Sequence, residues 1–209
     1  MENQKVKVLM VRRIPNGAPA LCRALGVGED RPCLGLLTTD CDDATYIALD
    51  EATKKADVQV AFGASFYGGA ANATTPYAGE VLGILAGREP ASVESGLEAA
   101  LAALENLSFS EVGGVPYLAH TVSSCGSFLS EQAGIAPGTS LAYLIAPPLE
   151  SICGLDRALK AADVKLCKLY EPPSPTNFGG GLLSGSRSAC MAACEAFAEG
   201  VREVAQTPR

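Results

Sequence analysis

The feature that most restricts how this chain can fold is a segment that occurs twice. Leu49-Asp50-Glu51-Ala52-Thr53-Lys54-Lys55-Ala56-Asp57-Val58-Gln59-Val60 aligns with Leu155-Asp156-Arg157-Ala158-Leu159-Lys160-Ala161-Ala162-Asp163-Val164-Lys165-Leu166. Seven of the twelve positions are identical, and the copies lie 106 residues apart in a chain of 209. The flanks repeat in the same order. A β-like apolar run precedes each copy (34–38 and 141–145), and another closes it (58–62 and 164–170). A loop, a short apolar strand (81–85 and 182–184) and a long Ala-rich helix (about 90–106 and 186–205) follow. Each half opens with a strand (5–11 and 117–122) and a short helix (about 19–25 and 127–133) stopped by Gly26 or Gly134, the usual residue for a left-handed stop. One duplication of a mixed α/β unit predicts two tandem domains, residues 1–110 and 111–209, joined near 107–114.

Composition narrows the class. Hydrophobic residues make up 48% and charged residues 19%. Soluble domains average about 25% charged, so part of this surface is expected to be covered by other subunits. With a net charge of −7 and scattered Lys and Arg, the chain lacks the cationic track that neutralises phosphates, which speaks against nucleic acid. No apolar run approaches the ~20 residues of a membrane span, and the first residues lack a leader pattern, so a cytosolic location is expected. The eight cysteines form no Cys-x-x-Cys pair and are expected to be mostly small buried hydrophobes.

Candidate chemistry is sparse. The only histidine, His120, falls in a predicted strand and reads as structural. No Gly-x-Ser-x-Gly, phosphate loop or His-Glu-x-x-His occurs. Gly179-Gly180-Gly181 follows a Pro-rich loop and opens no helix. Cys190 and Cys194 lie four apart, on one helix face, and are expected in a core. No enzyme is expected. The informative cluster is Asp40-Cys41-Asp42-Asp43, ahead of a helix expected at about 46–56. One carboxylate there can cap the helix. The other copy has Ala146-Pro147-Pro148-Leu149 at these positions, so the fold does not need three acids, and ligand contact is the competing reading. Two long loops, 63–79 and 171–180, stand at equivalent places, and loops of that length are usually functional.

The motifs DCDDATYIALDEATKKADV (40–58), FYGGAAN (66–72), AGEVLGILAG (78–87), LAYLIAPPLE (141–150), LDRALKAADV (155–164) and PPSPTNFGGGLLSGSRSACMAACEAF (172–197) resemble the ethanolamine-utilisation L-type shell proteins of bacterial microcompartments. The resemblance runs in order from about residue 34 onward. It implies an α/β (α+β) fold of two tandem, permuted microcompartment domains. It also implies a pseudo-hexameric homotrimer that tiles edge to edge with other shell proteins, inside the cytoplasm. By the same resemblance, Phe66, Tyr67, Gly68, Gly69, Asn72, Asn177 and Phe178 gate a central pore. Asp42, Asp43 and Glu80, with Phe109 and Ser184 nearby, line a small pore for metabolites such as ethanolamine. Neither nucleic acid nor membrane is an implied partner. No cofactor is expected from the residues, with cobalamin-type ligands and metal the classes the resemblance leaves open. Ser124-Cys125 replaces the Arg-Thr usual in the family, and Cys125 is a weak metal candidate. Two other readings stand beside this one: a soluble amine-binding protein that does not assemble, and a metal or redox protein built on Cys125.

Overall fold

The computed structural model describes residues 4–66, 81–171 and 178–207. Its strands are β1 (Gln4–Lys5), β2 (Val8–Ile14), β3 (Cys33–Thr39), β4 (Val58–Ser65), β5 (Val81–Gly87), β6 (Ser108–Val112), β7 (Val115–Val122), β8 (Ser140–Ala146), β9 (Val164–Tyr170) and β10 (Gly179–Gly185). Its helices are α1 (Pro19–Ala24), α2 (Asp42–Lys55), α3 (Pro90–Asn106), α4 (Ser127–Ala133), α5 (Pro148–Ala161) and α6 (Arg187–Gln206).

The duplication is a duplication of topology. One sheet has the order β2-β3-β5-β4, and the other contains β7-β8-β10-β9, with every neighbouring pair antiparallel. In each, the first two strands pair, the chain crosses over through α2 or α5, and the last two strands form the far side. The central strands β3 (CLGLLTT) and β8 (SLAYLIA) are almost wholly buried. Such near-continuous apolar runs suit strands covered on both faces.

The described residues fall into two compact units. The first comprises Val6–Leu107 with Gly126–Leu129, and the second Met1–Lys5, Ser108–Cys125 and Ser130–Arg209. Leu34, Ile84, Ala86, Cys22 and Val27 form a core of the first. Phe197, Leu144, Leu155, Leu183, Cys190 and Val201 form that of the second. Cys190 and Cys194 sit in this core, as their spacing predicted, 0% and 8% exposed. All eight cysteines are free thiols, five of them buried.

Three expectations are corrected. The stretch 107–114 is not a plain connector: Ser108–Val112 is strand β6, which forms a hairpin with β7 and also pairs with β1. Gly113 and Gly114 make its two-residue turn, with φ of 60° and 81°, the doubly left-handed backbone that a tight hairpin needs. Gly179 and Gly180, expected at the end of the loop 171–180, already belong to strand β10, and glycine is required here because the neighbouring backbones leave no room for side chains. A Cβ on Gly180, at φ 157°, would lie 1.9 Å from the Leu144 carbonyl oxygen, and one on Gly181 2.7 Å from that of Lys168. Finally, α2 starts at Asp42, some four residues earlier than expected.

Candidate functional site

The start of α2 is built from its neighbours. Cys41 occupies the N-cap position and makes no side-chain cap. Instead the Thr39 hydroxyl accepts the Cys41 N–H at 3.0 Å, and the Thr45 hydroxyl donates to the Cys41 carbonyl at 2.8 Å. The two hydroxyls meet at 2.7 Å. With the entry held this way, Asp42 and Asp43 stand in the first turn, where carboxylates suit the helix dipole. Asp42 Oδ1 accepts the neighbouring Asp43 N–H at 2.9 Å.

Both acids are buried, 7% and 8% exposed. Ser65, at the end of β4, hydrogen-bonds to the Asp42 carboxyl and to the Tyr46 phenol. Burial raises the Asp42 carboxyl above its ordinary value, against the pull of its hydrogen bonds. Tyr46 is pushed up to about 12, by burial first and by the charges of Asp42 and Asp43. The Cys41 thiol is raised strongly by burial and by Asp43. All three shifts have the sense expected of a dehydrated, electronegative pocket. A thiol raised in this way is a poor nucleophile, so the cluster is suited to holding a cation or a hydrogen-bond donor.

The other described candidates stand on other elements. Ser184 is on β10 in the second unit, accepting a hydrogen bond from the Cys167 thiol at 3.0 Å. Phe109 is on β6 of the same unit, three strands away in the order β6-β7-β8-β10, or about 14 Å at the usual strand spacing. Phe109 packs edge-on against Phe178, with ring centroids 6.2 Å apart at 74°. The structure thus joins two residues that the sequence assigned to different pores. Phe66 directly follows β4 and is 42% exposed. Tyr67, Gly68, Gly69, Asn72, Glu80 and Asn177 lie outside the described residues. Cys125 is 2% exposed, its N–H bonded to the Thr139 carbonyl. Among the described residues no group of three or more His, Cys, Asp or Glu side chains is placed to hold a metal ion.

Sequence reasoning missed Tyr46 and Ser65. Tyr46 was reachable, since it follows Asp42 by four and Asp43 by three and so shares their helix face. Ser65 carried no local signal, because the sheet delivers it.

Two copies of one strand–helix–strand unit, with an acidic cluster in only one, define a tandem-domain α/β protein. Residues 33–115 match the BMC domain family. The bacterial microcompartment shell protein EutL of Clostridium perfringens is 51% identical over 214 residues, covering 100% of this chain and 99% of its own. That of Salmonella typhimurium is 51% identical over 205 residues, covering 96% and 94%. The crystal structure of the ethanolamine utilization protein EutL from Leptotrichia buccalis superimposes with a TM-score of 0.95 at 57% identity, covering 99% of this chain and 97% of that one. The chain belongs to the EutL family of bacterial microcompartment shell proteins. It is a structural component of the shell and not an enzyme.

Proposed function

We propose that three copies of this chain close a ring that tiles into the shell, and that the acidic cluster at the start of α2 forms a narrow passage for small cations such as ethanolamine. The observation that carries the passage is the pair of adjacent, buried carboxylates Asp42 and Asp43. Burial keeps their charge unscreened, so a cation is attracted and an anion repelled. The resemblance to the family gives Glu80 as a third acid of the passage. The segments holding Phe66, Tyr67, Gly68, Gly69, Asn72, Asn177 and Phe178 gate a separate central pore. Ethanolamine is the chosen cation because the L. buccalis relative is named an ethanolamine utilization protein. Family membership favours this reading over a soluble amine-binding protein.

The test is calorimetric titration of the assembled protein with ethanolamine. Asp42→Asn combined with Glu80→Gln should weaken binding about tenfold or more, the worth of one charge-assisted hydrogen bond, while the mass by light scattering stays unchanged. Equal binding by the variant and the unaltered protein would leave Asp42 and Asp43 as helix-dipole partners alone.

A further inference from the structure

Two hydroxyl residues of the first sheet hold the start of α2. Ser65 of β4 and Thr39 of β3 both pair with Val81 of β5, so they stand at one level, two strands or about 10 Å apart. Thr39 fixes Cys41, giving its hydroxyl proton to the Cys41 carbonyl at 2.8 Å and taking the Cys41 N–H at 3.0 Å. Ser65 bonds the Asp42 carboxyl and the Tyr46 phenol. Tyr46 is itself seated. Its ring lies 6.0 Å from that of Phe128, and a Cβ on Gly63 of β4 would meet the Phe128 ring at 3.0 Å. The backbone around Phe128 is tied to α2 as well, because the buried Asp50 carboxylate accepts the Gly126 N–H at 2.7 Å and the Leu129 N–H at 2.9 Å.

The fold does not require this arrangement. Strands β4 and β9 carry the same irregularity, at Ala61 and at Cys167, so the register of the repeat holds to the ends of these strands. In that register Asp42, Asp43, Tyr46 and Ser65 become Pro148, Leu149, Ile152 and Glu171. Thr45, which ties backbone, stays a hydroxyl residue as Ser151 and still bonds a carbonyl of its own helix, at 2.9 Å. Helix and strand survive the replacement of all four groups. The four therefore belong together and serve something other than folding.

The direction of each proton follows from what the groups can do. An ionised carboxylate accepts and cannot donate. The single Ser65 hydroxyl proton therefore goes to Asp42, and the Ser65 oxygen takes the proton of Tyr46. The Thr39 and Thr45 protons go to the Cys41 carbonyl, each at 2.8 Å. All four hydroxyl protons are spent on the protein, and oxygen lone pairs are what these groups and the carboxylates offer a guest. Such a site sorts cations by their donors as well as by their charge. N–H groups on a cation make short, charge-assisted bonds along those lone pairs, whereas a spherical ion of the same charge must find a full replacement for its hydration shell.

We propose that Ser65, oriented by Tyr46, is a positioning residue that makes the passage selective for cations bearing N–H groups over alkali-metal ions of equal charge. The inference rests on the passage proposed above and adds what selects among cations. Ser65 acts through Asp42: its proton fixes the carboxylate, so that the acceptor oxygens face the guest in one arrangement.

Competition titration tests it. Ethanolamine is titrated calorimetrically into the assembled protein at neutral pH, alone and against ammonium chloride or potassium chloride. These two competing cations are nearly equal in size and differ in N–H donors. The inhibition constant of ammonium should be at least about tenfold below that of potassium. Ser65→Ala should weaken ethanolamine about tenfold and bring the two inhibition constants within about twofold of each other. Ser65→Thr keeps the hydroxyl and should restore both, while Tyr46→Phe should shift the ratio in the direction of Ser65→Ala. Light scattering checks that each variant still assembles. Equal inhibition by ammonium and potassium in the unaltered protein overturns the selectivity and spares the passage. An unchanged ratio in Ser65→Ala overturns it too, and an unchanged ratio in Tyr46→Phe does so even where Ser65→Ala fails to assemble. An unaltered protein that binds no ethanolamine removes both proposals.

Discussion

Asp50→Ala is the most informative single substitution in the first unit. The side chain is 0% exposed and receives two backbone N–H groups, at 2.7 and 2.9 Å. Lys54 Nζ stands 3.7 Å away. Alanine removes both acceptor bonds and leaves two donors buried, each costing ~1–3 kcal/mol. The expected loss is about 2–6 kcal/mol by that count, a large part of the 5–15 kcal/mol that holds a domain folded. Asp50→Asn keeps the shape and one acceptor oxygen but turns an NH2 group toward the other donor, so about half that loss is expected. Urea unfolding followed by far-ultraviolet circular dichroism measures both, the midpoint moving and the slope staying constant. The pH dependence adds a second reading. Burial, the largest influence, raises the Asp50 carboxyl above its ordinary 3.8 despite its hydrogen bonds. A raised folded-state value means that the protonated form favours folding. That contribution is complete below pH 3.8 and is lost as pH climbs through the higher folded value. The stability advantage of the native chain over Asp50→Asn should therefore shrink as pH rises through that window. A loss under ~1 kcal/mol for Asp50→Ala, far below the count above, with an unchanged slope, would refute the idea that this carboxylate holds residues 126–129.

Two further outcomes follow from the geometry. Gly180→Ala places a Cβ 1.9 Å from a backbone oxygen, so β10 must separate from β8. A loss of about 3 kcal/mol or more is expected in thermal unfolding, and an unaltered Tm would contradict the close strand approach. For Tyr46, a phenol raised from 10.0 to about 12 contributes stability that is full below pH 10.0 and fades as pH passes 12. The absorbance titration at 295 nm of Tyr46→Phe should therefore lack a step near pH 12; a missing step near 10 instead would show that the acidic cluster does not surround it.

Much of the fold was legible because it depends on short-range patterns. Pro90 and Asn106 bound α3 and Ser127 and Ala133 bound α4, just where the Pro, Ser and Gly signals put them. The strand order is the same in both halves because the same pattern was written twice. The errors share one cause. Gly179 and Gly180 read as the end of a loop since nothing in the local residues shows how closely the Leu144 carbonyl approaches. The stretch 108–112 read as a connector since its partner β1 is some hundred residues earlier.

At the candidate site the division is sharper. The acids Asp42 and Asp43 were visible as an excess over what capping requires, and neither has an acidic counterpart in the second copy, where Pro148 and Leu149 stand. Their burial, the hydroxyl of Ser65 and the raised phenol of Tyr46 were not visible, because charge, dehydration and hydrogen bonding converge there from β4 and α2 together. The repeated Asp50 and Asp156 show the same limit. The sequence alone determined that one aspartate recurs at the same place on two helices. Only tertiary structure decided that Asp50 is buried under two backbone donors while Asp156 stands in solvent, since burial belongs to whatever segment lands on the helix and not to the helix itself.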